Sequence, residues 1–137
     1  VIFSDVDKHQ INILDSKNPN RVISSTIQVT FRAPQGVDVD RNGNLFFRTT
    51  KAVWKMNLDN DSIPKMCSSH RTSSGWFLCC ARESVYYFDE HEMFRLFPES
   101  GEVVKVKLDV ELRFPMGLVY NKGYMYFSTD RSINKIK

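Results

Sequence analysis

The chain of 137 residues has no long apolar run. Its longest fully apolar stretches are a few residues, against the roughly 20 that a bilayer-spanning helix needs, so no membrane partner is expected. No segment shows a 3.6-residue apolar period between capping residues, so almost no helix is expected either. One-sided charge is missing too. Nineteen Lys and Arg stand against 16 Asp and Glu, for a net charge of +3. They are scattered, which argues against nucleic acid and against an anionic membrane as partners. There is no Gly-rich phosphate loop, because Arg41-Asn42-Gly43-Asn44 reads as a hairpin turn. Ser73-Ser74-Gly75 lacks the Gly-x-Ser-x-Gly elbow of a serine hydrolase. The three histidines, His9, His70 and His91, stand far apart, and no close spacing resembles a metal motif.

Cysteine is scarce. Cys67, Cys79 and Cys80 are the only three, so at least one has no partner within this chain. Cys79 and Cys80 are neighbours on an expected strand and point to opposite faces, so only one of them can face Cys67. A bridge would close a loop of about a dozen residues and add roughly 3 kcal/mol in the loop-entropy model. The alternative is that all three are small core residues.

What the chain does have is a repeat. Residues 34–66 read as four short antiparallel strands. Gly36-Val37-Asp38-Val39-Asp40 alternates apolar and polar, then turns at Arg41–Asn44. Leu45–Thr49 is the second strand, Ala52–Leu58 the third and Ile63–Met66 the last, where Pro64 suits an outer edge. The pattern recurs. Phe47, Tyr87 and Phe127 are forty residues apart, and seven residues after each come Trp54, Phe94 and Asn134. Met56, Leu96 and Ile136 follow, each preceded by a base, Lys55, Arg95 or Lys135. Gly36, Gly75 and Gly117 open the first strand of each copy, two of them in a Pro-x-Gly lead-in (Pro34, Pro115). Four strands in about 40–45 residues are the signature of a propeller blade.

The predicted fold is all-β: a β-propeller segment of about three and a half four-stranded blades. The boundaries are a partial blade at 1–30, blades at 31–68 and 69–110, and a partial blade at 111–137. The first residue falls inside a second strand, because Val1–Ser4 matches Met125–Ser128. The chain is therefore expected to start and stop in mid-blade. A blade buries its faces only against neighbours. The expected partner is thus the remainder of the propeller, in the same longer chain or in a second copy. Six blades is the expected ring, with seven as the alternative.

The Pro-x-Gly lead-in, the Asn-Gly turn, the Leu-Phe-Phe or Met-Tyr-Phe strand and the Val-Trp-Lys-Met-Asn strand resemble six-bladed propellers of the NHL and gluconolactonase type. Within that group the aromatic-rich strands are similar to secreted insect propellers related to the ommochrome-binding proteins. The resemblance implies architecture more than activity, since the fold serves hydrolases, receptors and binding proteins alike. Gluconolactonase-type hydrolases hold a divalent metal with a carboxylate in the lead-in to an inner strand. Here those positions are Gln35 and Met116, and a thioether does not serve a hard cation. No metal ligand and no catalytic residue is assigned. Asp38 and Asp40, which alternate on one strand, could form a paired acid and base; the plainer reading is a solvated channel wall.

The loops between second and third strands, and those linking blades, are expected on one face around the channel. Arg48, His70, Arg71, His91 and Arg131 would supply polar anchors there, and Trp76 and Phe114 apolar contact. The expected function is a non-enzymatic, secreted propeller that binds a small aromatic ligand or pigment at the channel mouth, with no other cofactor. A protein-interaction propeller and a metal-dependent lactonase-like hydrolase are the alternatives. Asn60-Asp61-Ser62 is an acceptor pattern for N-glycosylation at Asn60, in keeping with secretion.

Overall fold

The computed structural model describes residues 1–13, 27–28, 34–58, 63–73 and 77–137. Among these every regular element is a strand. Sheet one holds β1 (Ile2–Asp5), β2 (Gln10–Ile13) and β3 (Ile27–Gln28). Sheet two holds β4 (Val37–Val39), β5 (Asn44–Arg48), β6 (Val53–Asn57) and β7 (Lys65–Ser68). Sheet three holds β8 (Leu78–Ala81), β9 (Ser84–Asp89), β10 (Glu92–Phe97) and β11 (Glu102–Val106). Sheet four holds β12 (Gly117–Asn121), β13 (Tyr124–Ser128) and β14 (Ile133–Ile136). Strands follow one another in sequence order within each sheet, and every pairing is antiparallel. The inner strands β4, β8 and β12 lie beside one another across the sheets.

Local chemistry explains the turns. Asp40 Oδ1 accepts from the N–H of Asn42 at 2.8 Å and of Asn44 at 2.9 Å, and Gly43 takes φ 77°. The side chain of Asp40 thereby shapes its own hairpin. Lys122 and Gly123 both have positive φ, 47° and 87°, as a two-residue turn between twisted strands requires. The fourth strand of sheet two starts at Lys65, two residues later than expected. Pro64 has no N–H to give to the ladder, and a bulge between Val53 and Trp54 shifts the register there.

The core lies between the sheets. Ile11 packs with Leu45 and Phe47 between sheets one and two. Phe46, Val53, Leu78, Val85, Tyr87 and Leu96 fill the second junction. Phe88, Met93, Leu112 and Phe127 fill the third. The aromatics spaced by forty residues, Phe47, Tyr87 and Phe127, are all 2% exposed or less and face the preceding sheet. Their sequence neighbours look forward. Phe46, Tyr86 and Tyr126 each pair directly across the ladder with a base: Lys55, Arg95 and Lys135. Each cation stands over its ring, at 5.8, 5.7 and 5.7 Å from the centroid. The loops repeat as well. Thr49 and Thr129 each donate a backbone N–H three residues on, to Ala52 O and Ser132 O, and each side-chain Oγ1 accepts from the N–H two residues on.

All three cysteines are free thiols. Cys67 and Cys80 pack into the second junction, while Cys79 faces sheet four. Burial, and then the charge of Asp38, push the Cys79 thiol up to about 12 and raise Cys80 as well. The cysteines are core residues here, not a bridge.

Candidate functional site

The loop ends of the two junctions flanking sheet three are built from equivalent positions and filled differently. At the second junction the position after the repeated aromatic is Arg48, which is 1% exposed. Its Nη1 donates to Phe88 O at 2.6 Å, its Nη2 donates to Thr72 Oγ1, and its guanidinium lies 4.3 Å from the centroid of Tyr87. Burial lowers its pKa to about 10, opposed by Tyr87 and Asp89, so it stays charged at neutral pH. His70, half-buried on the linker, shares a 2.9 Å hydrogen bond between its Nδ1 and the Tyr87 hydroxyl, and its ring is 4.6 Å from that of Phe94. Burial and then Arg48 lower the His70 pKa. Asp89 Oδ1 accepts from both the N–H and the hydroxyl of Ser73. This polar lattice fills the loop end of the second junction.

Forty residues on, Phe88 stands where Arg48 stood. It donates nothing, and it packs edge-on to Phe127 at 5.8 Å. A hollow of about 620 Å³ remains at the third junction, lined by Phe77, Phe88, Phe114, Pro115 and Met116 together with Glu90 and His91. Glu90 and His91 form the two-residue turn between β9 and β10. Two backbones here are left-handed, Glu90 at φ 45° and Phe114 at φ 45°. For a bulky aromatic that conformation is strained and costs on the order of 1–3 kcal/mol. The ring it holds out is 72% exposed, and Met116 beside it is 57% exposed. His91 Nδ1 lies 2.9 Å from Leu112 O. A carbonyl oxygen only accepts, so Nδ1 donates and Nε2 keeps a lone pair when the ring is neutral.

Of the residues expected to bind, His91 and Phe114 line this hollow. Arg48 and His70 meet on Tyr87 at the other junction, where Arg48 is enclosed between sheets instead of facing solvent. Arg71 is exposed on the linker before β8. Arg131 is exposed, with Nε 3.6 Å from the carboxylate of its neighbour Asp130. Trp76 and Asn60 lie outside the described residues. The sequence placed Glu90 on the same loop face as His91 but did not select Phe77, Phe88, Pro115 or Met116 as binding residues. The repeat register held the signal, because it sets an apolar Phe88 opposite a charged Arg48. Asp38 and Asp40 both accept structural hydrogen bonds. Asp38 Oδ2 accepts from Cys80 N–H at 2.7 Å, tying β4 to β8, while Asp40 is occupied in its turn. Among the described residues no three His, Cys, Asp or Glu side chains converge as a metal set.

No protein-family model and no curated protein sequence matches the chain. Solved structures do. A catalytically inactive virginiamycin B lyase from Staphylococcus aureus, with quinupristin, is 16% identical with a TM-score of 0.71, covering 99% of this chain and 51% of that one. A chain of the nidogen/laminin complex is 14% identical with a TM-score of 0.72, covering 98% and 54%. A streptogramin B lyase is 15% identical with a TM-score of 0.72, covering 98% and 50%. This chain spans about half the length of each. Four successive antiparallel sheets, a forty-residue repeat and these likenesses together make the chain a β-propeller segment.

Proposed function

We propose that this segment belongs to a secreted, non-enzymatic propeller that holds a small aromatic ligand or pigment in the hollow between sheets three and four. The observation that carries the reading is the substitution within the repeat. Where Arg48 fills the loop end of the second junction, Phe88 leaves that of the third open and apolar. Three phenylalanine rings offer stacking faces for a planar molecule, and two polar side chains at the lip orient it. An ommochrome-type pigment has that planar chemistry. Further blades, in the same longer chain or a second copy, would complete the ring, in keeping with the half-length coverage of the similar structures.

A second reading is a protein-binding propeller. It is favoured by the exposure of Phe114 and Met116 and by a similar structure that comes from a protein–protein complex. The test is to denature the natively purified protein and look for a released aromatic compound by absorbance and mass spectrometry. The binding of 1-naphthaleneethanol to ligand-free protein is measured alongside. A released chromophore, or naphthyl binding weakened by Phe114→Ala, supports the small-ligand reading. The absence of both release and naphthyl binding overturns it, and a co-purifying protein in their place favours the second.

A further inference from the structure

We propose that the hollow lined by Phe77, Phe88 and Phe114, at the loop end between sheets three and four, selects aromatic amines over aromatic acids, because among the described residues both polar side chains that line it are acceptors and no Lys or Arg does. The inference rests on the small-ligand reading above and names its ligand class. The sequence offered Arg48, Arg71 and Arg131 among the polar anchors for an aromatic ligand. The structure puts those arginines elsewhere. Arg48 is enclosed at the neighbouring junction. Arg131 faces its own neighbour Asp130, and Arg113, next to the hollow in sequence, has Nε 3.1 Å from the carboxylate of Glu111. Among the described residues no Lys or Arg lines the hollow itself.

What remains is one-signed. Glu90 contributes a carboxylate, which only accepts. With its Nδ1–H spent on Leu112 O, the neutral His91 ring presents Nε2 as an acceptor as well. Both lie at the edge of an apolar wall whose phenylalanine faces are electron-rich and attract an ammonium group. An aryl-alkyl ammonium fits all three features at once, with its ring among Phe77, Phe88 and Phe114 and its N–H groups toward Glu90 and His91. A carboxylate in the same place would meet Glu90 with like charge and, among the described lining residues, no Lys or Arg. Glu90 is exposed, so the discrimination belongs to the solvent-screened range, about fivefold between charged and neutral ligands.

The test uses three ligands sharing one ring: 1-naphthylethylamine, 1-naphthaleneethanol and 1-naphthylacetate. They are titrated at neutral pH into the natively purified, ligand-free protein by calorimetry. The amine is expected to bind about fivefold tighter than the alcohol, and the acid weaker than the alcohol. Glu90→Gln is expected to bring the amine down to the affinity of the alcohol for the same variant, a selective loss that a purely structural role for Glu90 would not produce. The inference is overturned if the acid binds tighter than the alcohol, or if the amine preference survives in Glu90→Gln. Both of those outcomes leave the small-ligand reading standing. If none of the three binds, that reading falls and takes this one with it.

Discussion

Replacing Arg48 separates a structural arginine from a surface one. The guanidinium gives two charge-assisted hydrogen bonds, to Phe88 O and Thr72, and covers the Tyr87 face. Hydrogen bonds from a charged donor contribute about 1.5–3 kcal/mol each, and a desolvated cation–π contact about 2 kcal/mol. Against these stands the cost of burying the charge. The fall of its pKa from 12.5 to about 10 corresponds to about 3 kcal/mol. The net stabilisation is then about 2–5 kcal/mol. Arg48→Ala removes it and leaves Phe88 O and Thr72 without that donor, so a loss of about 3–4 kcal/mol is expected. Arg48→Met fills the space and escapes the burial cost, so about half that loss is expected. Arg131→Ala, on an exposed loop, should change stability by less than about 0.5 kcal/mol. Urea unfolding followed by tryptophan fluorescence measures all three. Equal midpoints for Arg48→Ala and Arg131→Ala would refute the reasoning, because they would mean the junction does not depend on the buried guanidinium.

Phe127→Ala, at a buried repeat position, should cost about 3–5 kcal/mol in the same assay. Gly101 has φ 75°, and a Cβ there would sit 2.8 Å from Cys67 O; Gly101→Ala should lose more than about 1 kcal/mol. His70 gives a pH dependence. Burial, then Arg48, hold its folded pKa below 6.5, so between that value and 6.5 the unfolded chain binds more protons. Stability from His70 is complete above 6.5 and is lost as pH falls through the folded pKa. Urea midpoints measured from about pH 7.5 down to about pH 5 should drop less steeply in His70→Asn than in the parent. The thiols supply a fourth check. Cys79 and Cys80 should resist iodoacetamide in the native protein and all three cysteines should react on unfolding without reductant.

The sheets were legible because the repeat is written in strong letters. Phe47, Tyr87 and Phe127 recur at a fixed step, and turn residues such as Asn42-Gly43 and Lys122-Gly123 stand between alternating strands. Alternation tells which face a side chain takes, so these residues could be read as core. The start of β7 was less legible, since it depends on which N–H the ladder uses after Pro64 and on a bulge. The site was legible only in part. His91 and Phe114 were selected as polar and aromatic loop residues. Arg48 was selected for its charge and sits buried, because whether a loop cation faces solvent depends on the next sheet over, which no local pattern encodes. The hollow escaped for the opposite reason. Phe88 reads as ordinary core, and its consequence appears only when it is compared with the arginine forty residues earlier.

The central claim is that the third junction is an open aromatic site at which Phe114 is held in strain for binding. Phe114→Gly tests it most directly. Glycine accepts φ 45° without a clash, and the lost ring is exposed. The measurement is the urea midpoint of the variant together with its affinity for 1-naphthaleneethanol. The account predicts a stability unchanged or raised by up to about 1 kcal/mol and an affinity lowered by about tenfold. A marked loss of stability with affinity unchanged would contradict it, and would make Phe114 a packing residue and the hollow a bystander.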